Sequence, residues 1–278
     1  MTAAPVATLL RLEPGSPRQL SALYAGPERR AGLQALYAIE REIRSALTAT
    51  THEVAHARQR FWREEVDRLV GGRPAHPLTQ AVRDAPGSAH IDFAPIHELL
   101  AATDLDLANF TYANRRELDA YAVRAGATQR IAAALLAEGR PLHERAGEFA
   151  ASLGRLLRLT EMVAALQAEA HAGRVYVPLE ELQAIGVDAA EVHRRPLRPE
   201  LVDWRRARAA ELRVELSAVA HALSASERRD LLPSLVLGAQ YEPWLAAIAT
   251  VTGADVPIER VSHWRRVWTA WRIAIRHG

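Results

Sequence analysis

The chain has 278 residues, of which 49% are hydrophobic and 24% are charged, a balance that is ordinary for a globular protein and excludes a disordered chain. It contains no cysteine, which excludes disulfide bonds, thiolate metal sites and a cysteine nucleophile. Its 35 basic residues are all arginine, yet the net charge is only +2 and no block of like charge occurs, so we expect no nucleic-acid partner.

The organisation along the chain predicts one domain over residues 1–278, with an N-terminal extension at 1–19. Alanine and leucine are abundant, proline and glycine fall between the apolar segments, and no stretch alternates with the period of two that marks a strand. We therefore predict an all-α fold. The first residues have no basic region before their apolar run, so we expect no secretory signal and a cytoplasmic protein.

The first long helix is predicted to begin after Gly26 and Pro27, because proline is favoured at the first position of a helix. Arg41 and Arg44 lie three residues apart on it, and therefore on one face. Planar guanidinium groups suit phosphates and carboxylates, so both are candidates for an anion site. The structural alternative is that they pair with the glutamates beside them.

A second helix carries the spacing His52-Glu53-x-x-His56, which places two histidines on one helical face with a glutamate as a base. Such a pattern is typical of zinc hydrolases, with Glu64 or Glu65 as a third ligand. The alternative is a solvated helix face, because this spacing arises by chance in a chain with 11 histidines.

Residues Asp104–Leu136 are predicted to form one long helix, in which Gly126 indicates a close packing contact or the approach of a ligand. Another helix follows Pro141 and is predicted to run to about His171. The segment after it turns at Pro178, which opens a short helix.

Arg155 and Arg158 lie three residues apart on the helix that ends near His171, and Arg174 follows it. If their face meets that of Arg41 and Arg44 across a pocket, the arginines form a metal-free cationic site for a diphosphate or another anion. Ion pairs with nearby acids, which would stabilise only the fold, are the alternative.

Three further helices are predicted over Pro199–Leu223, Ser226–Gln240 and Tyr241–Thr252. The chain then closes with an amphipathic helix at residues 263–276, whose Trp264, Trp268 and Trp271 fall on one side. Three arginines fall on another side of that helix, namely Arg265, Arg272 and Arg276. Such a helix binds an anionic membrane surface or a protein partner, unless its tryptophans pack on the domain.

The stretch Leu153–Pro178 resembles a signature of the squalene/phytoene synthase family of head-to-head prenyl transferases. Residues of this chain that match the signature are Leu153, Gly154, Leu159, Thr160, Gly173, Arg174, Tyr176 and Pro178. Tyr37, Ala38 and Arg41 similarly match a first signature. Segments Trp62–Glu65 and His76–Leu78 resemble a branch of the family that contains assembly-factor-like proteins, and this branch is the nearer relative.

The resemblance implies a type I isoprenoid synthase fold, a single helical bundle around a central pocket. It also implies that magnesium-binding aspartates are missing, because the family's aspartates fall on Arg44, Ser45 and Thr48 in the first signature and on Ala165 and Glu169 in the second. Glu169 is the only aligned acid that is kept. By the same resemblance and the arginine spacing, the ligand-binding or diphosphate-binding candidates are Tyr37, Arg41, Arg44, Tyr121, Arg158, Glu161, Arg174, Tyr176, Tyr241 and Arg260.

The leading hypothesis is a non-catalytic member of this family that binds a prenyl diphosphate or another lipid, or acts in assembly with a partner protein. It needs no cofactor and no metal, and it is cytoplasmic or peripheral to the inner face of the membrane. An active prenyl transferase that joins two prenyl diphosphates is the alternative, and only this alternative requires magnesium. The HExxH zinc hydrolase is a minor alternative.

Overall fold

The computed structural model describes residues 6–251 and 255–277. Within these ranges the chain forms α-helices, short 3-10 turns and no strand, which confirms the all-α prediction. The α-helices of these ranges are α1 (Val6–Leu9), α2 (Pro17–Ala22), α3 (Pro27–Arg44), α4 (His52–Val70), α5 (Pro77–Arg83), α6 (Pro95–Leu107), α7 (Arg115–Ala125), α8 (Thr128–Leu136), α9 (Glu144–Ala164), α10 (Leu166–His171), α11 (Leu179–Ala184), α12 (Pro199–Val219), α13 (Ala225–Asp230), α14 (Leu232–Thr250) and α15 (His263–His277).

Helix α3 begins at Pro27, as its sequence predicts, with the proline at the first helical turn where no intrahelical N–H is required. Leu33, Leu36 and Ile43 recur at helical spacing and are fully buried in the main core. One face of α3 packs against α5 and α8. The helix thus crosses the middle of the bundle and brings its last two turns to the candidate site.

The prediction of one helix over Asp104–Leu136 is wrong, because the chain breaks this segment twice into α6, α7 and α8. Asn114 starts α7 by accepting a hydrogen bond from the backbone N–H of Glu117 at 3.0 Å. At the second break, Gly126 lies against the backbone of Gly154 on α9, so close that an added Cβ would overlap the Gly154 carbonyl group. The predicted close packing at Gly126 is thus confirmed.

The prediction that a single helix reaches His171 is also wrong, since α9 ends at Ala164 and α10 begins at Leu166. The Asp255 carboxylate accepts hydrogen bonds from the N–H groups of Gln167 at 2.7 Å and Ala168 at 2.8 Å. A carboxylate at a helix N-terminus satisfies donors that have no partner in the helix. The break therefore depends on a tertiary contact, which local sequence does not reveal.

The predicted boundary at Tyr241 does not exist, because α14 runs from Leu232 to Thr250 and carries Pro243 in its interior. The break lies at Leu231 instead, where Pro233 follows at the first turn of α14 and α13 ends. Pro199 opens α12 as predicted. The position Thr252, where the last of these helices was predicted to end, lies outside the described residues.

The main hydrophobic core joins α3, α6, α8, α9 and α14, while a smaller cluster around Leu166, Val192 and Leu201 packs beneath α10 to α12. Helix α2 spans residue 19, the predicted end of the N-terminal extension, and packs on α3 and α14. The final helix covers His263–His277, against the predicted 263–276. Among the described helices, none combines the length and the apolar character needed to cross a membrane.

Candidate functional site

A cluster of arginines and carboxylates lies in the middle of the bundle, and α2 supplies its first member. The Ser16 hydroxyl caps α2 and Pro17 opens it, which fixes the position of Arg18 one residue later. Arg18 Nη2 donates to Glu40 Oε1 on α3 at 2.6 Å, and Arg18 Nη1 lies 3.4 Å from Glu161 Oε1 on α9. Arg18 therefore ties three helices together.

Glu40 is the carboxylate that α3 contributes, and its side chain is almost fully buried. Arg44, one turn later on α3, places Nε 3.4 Å from the same Oε1 atom and donates from Nη2 to the Ala125 carbonyl oxygen at 2.8 Å. The Thr128 hydroxyl donates to Glu40 Oε2 at 3.1 Å. Both oxygens of this carboxylate are thus engaged.

Arg158 on α9 forms the other half of the cluster and is itself buried. Its Nη2 donates to the hydroxyls of Tyr121 and Tyr176, at 2.8 Å each. Those hydroxyls donate to the two oxygens of Asp106 at 2.8 and 2.6 Å, and Arg158 Nη2 itself lies 3.6 Å from Asp106 Oδ2. Burial raises the pKa of Tyr121 to about 12, so this hydroxyl keeps its proton and remains a donor.

Glu161 connects the two halves. Tyr241 on α14 donates to Glu161 Oε1 at 2.9 Å, and Arg158 Nη1 lies 3.8 Å from Oε2. Burial by itself would raise the pKa of Glu161, but the positive charges of Arg18, Arg44 and Arg158 outweigh burial and hold the pKa below its ordinary value. Glu161 is therefore ionised at neutral pH.

These six charged residues form one connected set, which we call the core ion network: Arg18, Arg44, Arg158, Glu40, Asp106 and Glu161. Three guanidinium groups face three carboxylates, so the formal charges cancel. Removing one partner from such a buried pair leaves an uncompensated charge, at a cost of about 3–5 kcal/mol. Arg44 and Arg158 therefore pair with nearby acids, which is the structural alternative to an anion site.

A cavity of about 450 Å³, which we call the entrance cavity, opens between α2, α3 and the 3-10 turn Ser45–Thr48. This size lies within the range of about 300–1,000 Å³ that is usual for small-molecule sites. The three positions onto which the resemblance places the family's first aspartates line it, namely Arg44, Ser45 and Thr48. Leu12, Pro17 and Tyr37 add an apolar side, and Arg18, Glu40, Arg41 and Glu161 add charge.

The second set of aligned positions lies at the break between α9 and α10. Ala165, whose methyl side chain cannot bind a metal ion, is the residue at that break. Glu169 on α10 accepts from Arg174 Nε at 2.6 Å, so the one aligned acid is already paired. Neither Ala165 nor Glu169 lines the entrance cavity.

Magnesium is bound through carboxylates whose oxygens face the ion, together with substrate phosphates. Here every carboxylate of the core ion network already accepts hydrogen bonds or ion pairs from side chains, three of which are permanently charged. In residues 6–251 and 255–277, no group of three histidine, cysteine or acidic side chains lies close enough together to hold a metal ion. The residues at these positions therefore do not fit a magnesium cluster.

The structure brings most of the predicted site residues together, but not all of them. Arg41 lies at the rim of the entrance cavity, where it donates to the carbonyl oxygens of Arg11 at 2.7 Å and Leu9 at 3.3 Å. Arg260 is exposed and does not line the entrance cavity. Arg155, three residues before Arg158, faces elsewhere and pairs with Asp119 and Glu215.

The HExxH residues do not converge on a site. His52, Glu53 and His56 are exposed on α4, and the two imidazole rings lie 6.4 Å apart between centroids. Glu65 is buried but accepts from the backbone N–H groups of Ala75 and His76. It therefore holds the start of α5 and supplies no third ligand to the histidines.

The C-terminal helix α15 exposes a row of large apolar side chains. Trp264 is 81% exposed, Trp268 55% and Trp271 48%, so these indoles do not pack on the domain. On the opposite face, Arg266 and Ala270 are buried against the body of the protein. The alternative in which the tryptophans pack inward is therefore wrong.

Sequence reasoning missed three members of the core ion network as site residues, namely Arg18, Glu40 and Asp106; Glu40 was expected only as one of the glutamates that pair with the arginines. Arg18 fell inside the predicted N-terminal extension, although the Ser16-Pro17 pair is a helix-start signal that places Arg18 on a helix. Asp106 fell inside the predicted long helix, and its role depends on the approach of Tyr121 and Tyr176 from other segments. No local pattern reveals that approach.

The architecture is the all-α isoprenoid synthase fold. The fold matches that of a dehydrosqualene synthase crystallised with a ligand (TM-score 0.73, 17% identity, 92% of this chain and 90% of that chain). It also matches squalene synthase HpnC from Alicyclobacillus acidocaldarius (TM-score 0.69, 19% identity, 87% of this chain and 91% of that chain). At these identities the likeness concerns the fold alone.

The family model described as squalene/phytoene synthase matches residues 13–272, and the chain belongs to this family. Among curated relatives, phytoene synthase of Arthrospira platensis is 25% identical over 144 residues, which are 47% of this chain and 46% of that protein. Phytoene synthase 3 of Zea mays, a chloroplastic protein, is 26% identical over 172 residues, which are 60% of this chain and 40% of that protein. The matched stretches thus span less than half of these relatives.

Proposed function

We propose that this protein is a member of the squalene/phytoene synthase family that binds a prenyl diphosphate or a related lipid phosphate without a magnesium-dependent reaction. One observation carries the proposal. The entrance cavity is lined by Arg44, Ser45 and Thr48, the three positions at which the family resemblance places aspartates. A cation and two hydroxyls can bind phosphate oxygens directly, but they offer no carboxylate to magnesium.

The arrangement favours binding over ionisation of a diphosphate. Arg41 is exposed at the rim, where a phosphate would have to replace its contacts with Glu42, at 3.2 Å, and with the carbonyl oxygens of Arg11 and Leu9. Arg18 and Arg44 lie deeper in the same cavity, and Leu12 offers an apolar contact to a lipid chain. Loss of a diphosphate leaving group, in contrast, develops several negative charges that a charge-balanced network does not neutralise.

The test is calorimetric titration of the full chain with farnesyl diphosphate, with and without magnesium. We expect binding whose affinity changes less than threefold on addition of magnesium and falls at least tenfold in Arg44→Gln. Arg63→Gln serves as the matched control, because Arg63 is exposed on α4 and, among the residues that the structure describes, pairs with Asp104 alone. Magnesium-dependent binding, or formation of a C30 or C40 product, would refute the proposal.

The alternative function is an active prenyl transferase that uses displaced acids. It is favoured by Glu40 and Glu161, which line the entrance cavity and would have to exchange their arginine partners for a metal. Under this alternative, Glu161→Gln abolishes product formation from farnesyl or geranylgeranyl diphosphate in the presence of magnesium. An assay that finds no product with the unmodified chain eliminates it.

We also propose that the protein is cytoplasmic and binds the anionic inner face of a membrane through α15, whose Trp268 and Trp271 rings lie 4.8 Å apart between centroids. Tryptophan prefers the membrane interface, and Arg265 and Arg272 at the side of the row would contact acidic headgroups. The test is sedimentation with vesicles of phosphatidylglycerol and phosphatidylcholine. We expect the double variant Trp268→Ser/Trp271→Ser to lose binding, while Phe61→Ser, an exposed aromatic on α4, keeps it.

A protein partner on α15 is the competing form of this proposal. Binding to neutral phosphatidylcholine vesicles at the same level would argue against recognition of charge. A failure to bind any vesicle, with retained folding, would reject the membrane and leave the partner.

A further inference from the structure

A second cavity, of about 170 Å³, lies between α9, α12, α14 and the C-terminal helix α15. Its walls include Leu153, Leu216 and Ile273, which are apolar and come from three of these helices. Gly238 on α14 allows α14 to approach Leu153 closely beside the cavity, since a Cβ there would lie 3.0 Å from Leu153 Cδ1. Its lining residues belong neither to the core ion network nor to the entrance cavity.

A buried hydroxyl in the wall of this cavity has no hydrogen-bond partner within the described part of the chain. Ser234 is 2% exposed, lines the cavity, and its Oγ is unpaired among those residues. Nearly all buried side-chain hydroxyls in proteins have a partner, and an exception at a cavity wall indicates a group that a ligand satisfies.

The rim of the cavity carries an excess of positive charge. Arg228 donates to the carbonyl oxygen of His221 at 3.3 Å, and neither Arg228 nor Arg276 has a carboxylate partner in the ranges that the structure covers. Burial lowers the pKa of His277, and the charges of Arg228 and Arg276 lower it further. Glu242 is an acid at this rim, and its Oε1 lies 3.9 Å from Nε of Arg213, a residue that does not line the cavity.

We infer that this cavity is a second ligand site, distinct from the entrance cavity, which binds a small anionic amphiphile. The apolar walls take a short hydrocarbon group, since an apolar cavity of about 150 Å³ already holds a molecule of the size of benzene. Arg228 and Arg276 bind the anionic head group, which is a phosphate monoester or a carboxylate. Ser234 donates its hydroxyl to the same head group.

The experiment is calorimetric titration of the full chain with hexyl phosphate, hexanoate and hexanol, below the concentrations at which they aggregate. We expect hexyl phosphate to bind with one-to-one stoichiometry and at least tenfold more tightly than hexanol. The double variant Arg228→Gln/Arg276→Gln should lose at least tenfold in affinity. Hexanoate distinguishes the head groups, because equal affinity assigns the site to anions in general and much weaker binding assigns it to phosphates.

The control variant is Arg145→Gln/Arg229→Gln, which removes two exposed arginines from α9 and α13 but leaves the cavity lining intact. Ala239→Phe should fill the cavity and abolish binding. If that variant has a lowered melting temperature, Ser234→Ala provides a second test, because it nearly preserves the volume of the cavity and should weaken binding at least threefold. Equal affinity for hexanol and hexyl phosphate would overturn the inference. Loss of binding in Arg44→Gln would do so too, because it would place the ligand in the entrance cavity.

Discussion

Replacing Arg158 with methionine tests whether the core ion network holds the bundle together. The substitution keeps much of the side-chain volume but removes the charge that Tyr121, Tyr176 and Asp106 share. Asp106 then remains 4% exposed with two neutral hydroxyl donors and no cation within ion-pair distance among the described residues. Its negative charge would be buried and uncompensated.

The expected loss in the free energy of unfolding is about 3–5 kcal/mol, the usual effect of removing one member of a buried ion pair. For a chain of this size, each kcal/mol lowers the melting temperature by roughly 2–4 °C, so the midpoint should fall by about 6–20 °C. Urea titration followed by circular dichroism at neutral pH measures the free energy, and a thermal scan measures the midpoint.

The double variant Arg158→Met/Asp106→Asn separates electrostatics from packing. If the charge on Asp106 causes the loss, removing that charge should restore part of the stability. The double variant should then lose at least 1 kcal/mol less unfolding free energy than the two single variants lose in sum, which lies within the range of about 0.5–3 kcal/mol for coupled pairs. Strict additivity, or a loss below 1 kcal/mol in Arg158→Met, would refute the reasoning.

Three further predictions follow from other parts of the molecule. The pKa of Glu161 in the folded protein lies below its ordinary value, so its ionised carboxylate stabilises the fold at any pH above that ordinary value. This stabilisation is lost as the pH falls through the pKa of the folded state. Glu161→Gln should therefore flatten the acid side of the curve of unfolding free energy against pH, measured by urea titration. Gly126→Ala should cost at least 2 kcal/mol because its methyl group overlaps the Gly154 backbone, whereas Gly147→Ala, in open space on α9, should be neutral or stabilising. Magnesium at roughly 5 mM should leave the melting temperature unchanged, because an ion that binds the folded state would raise it.

The sequence predicted the helical class and the segments that bear the site, because the apolar period and the proline positions are local properties. Pro27 and Pro199 start helices where they were expected to. The break before α10, in contrast, depends on Asp255, whose carboxylate arrives from 88 residues away. Local propensity carries no information about such a cap.

The site was predicted in part for the same reason. Arg44 and Tyr121 were both named as ligand-binding candidates from the family resemblance and the arginine spacing, and both contact members of the core ion network. Arg18 and Asp106 could not be placed, since each becomes functional only through contacts with other helices. The sequence also could not decide whether Arg44 binds an anionic ligand or pairs with an acidic side chain, because both interpretations place the same residue on the same helical face.

The charge balance of the core ion network explains how three acids can lie in the interior of this bundle. Acids in the interior need a cation, which either a metal or a guanidinium supplies. In this chain Arg18, Arg44 and Arg158 supply it permanently, because an arginine does not lose its proton in a protein. A single new aspartate at position 44 would therefore remove one cation and add one acid, leaving two arginines against four carboxylates. That excess of negative charge would destabilise the bundle unless a divalent ion entered.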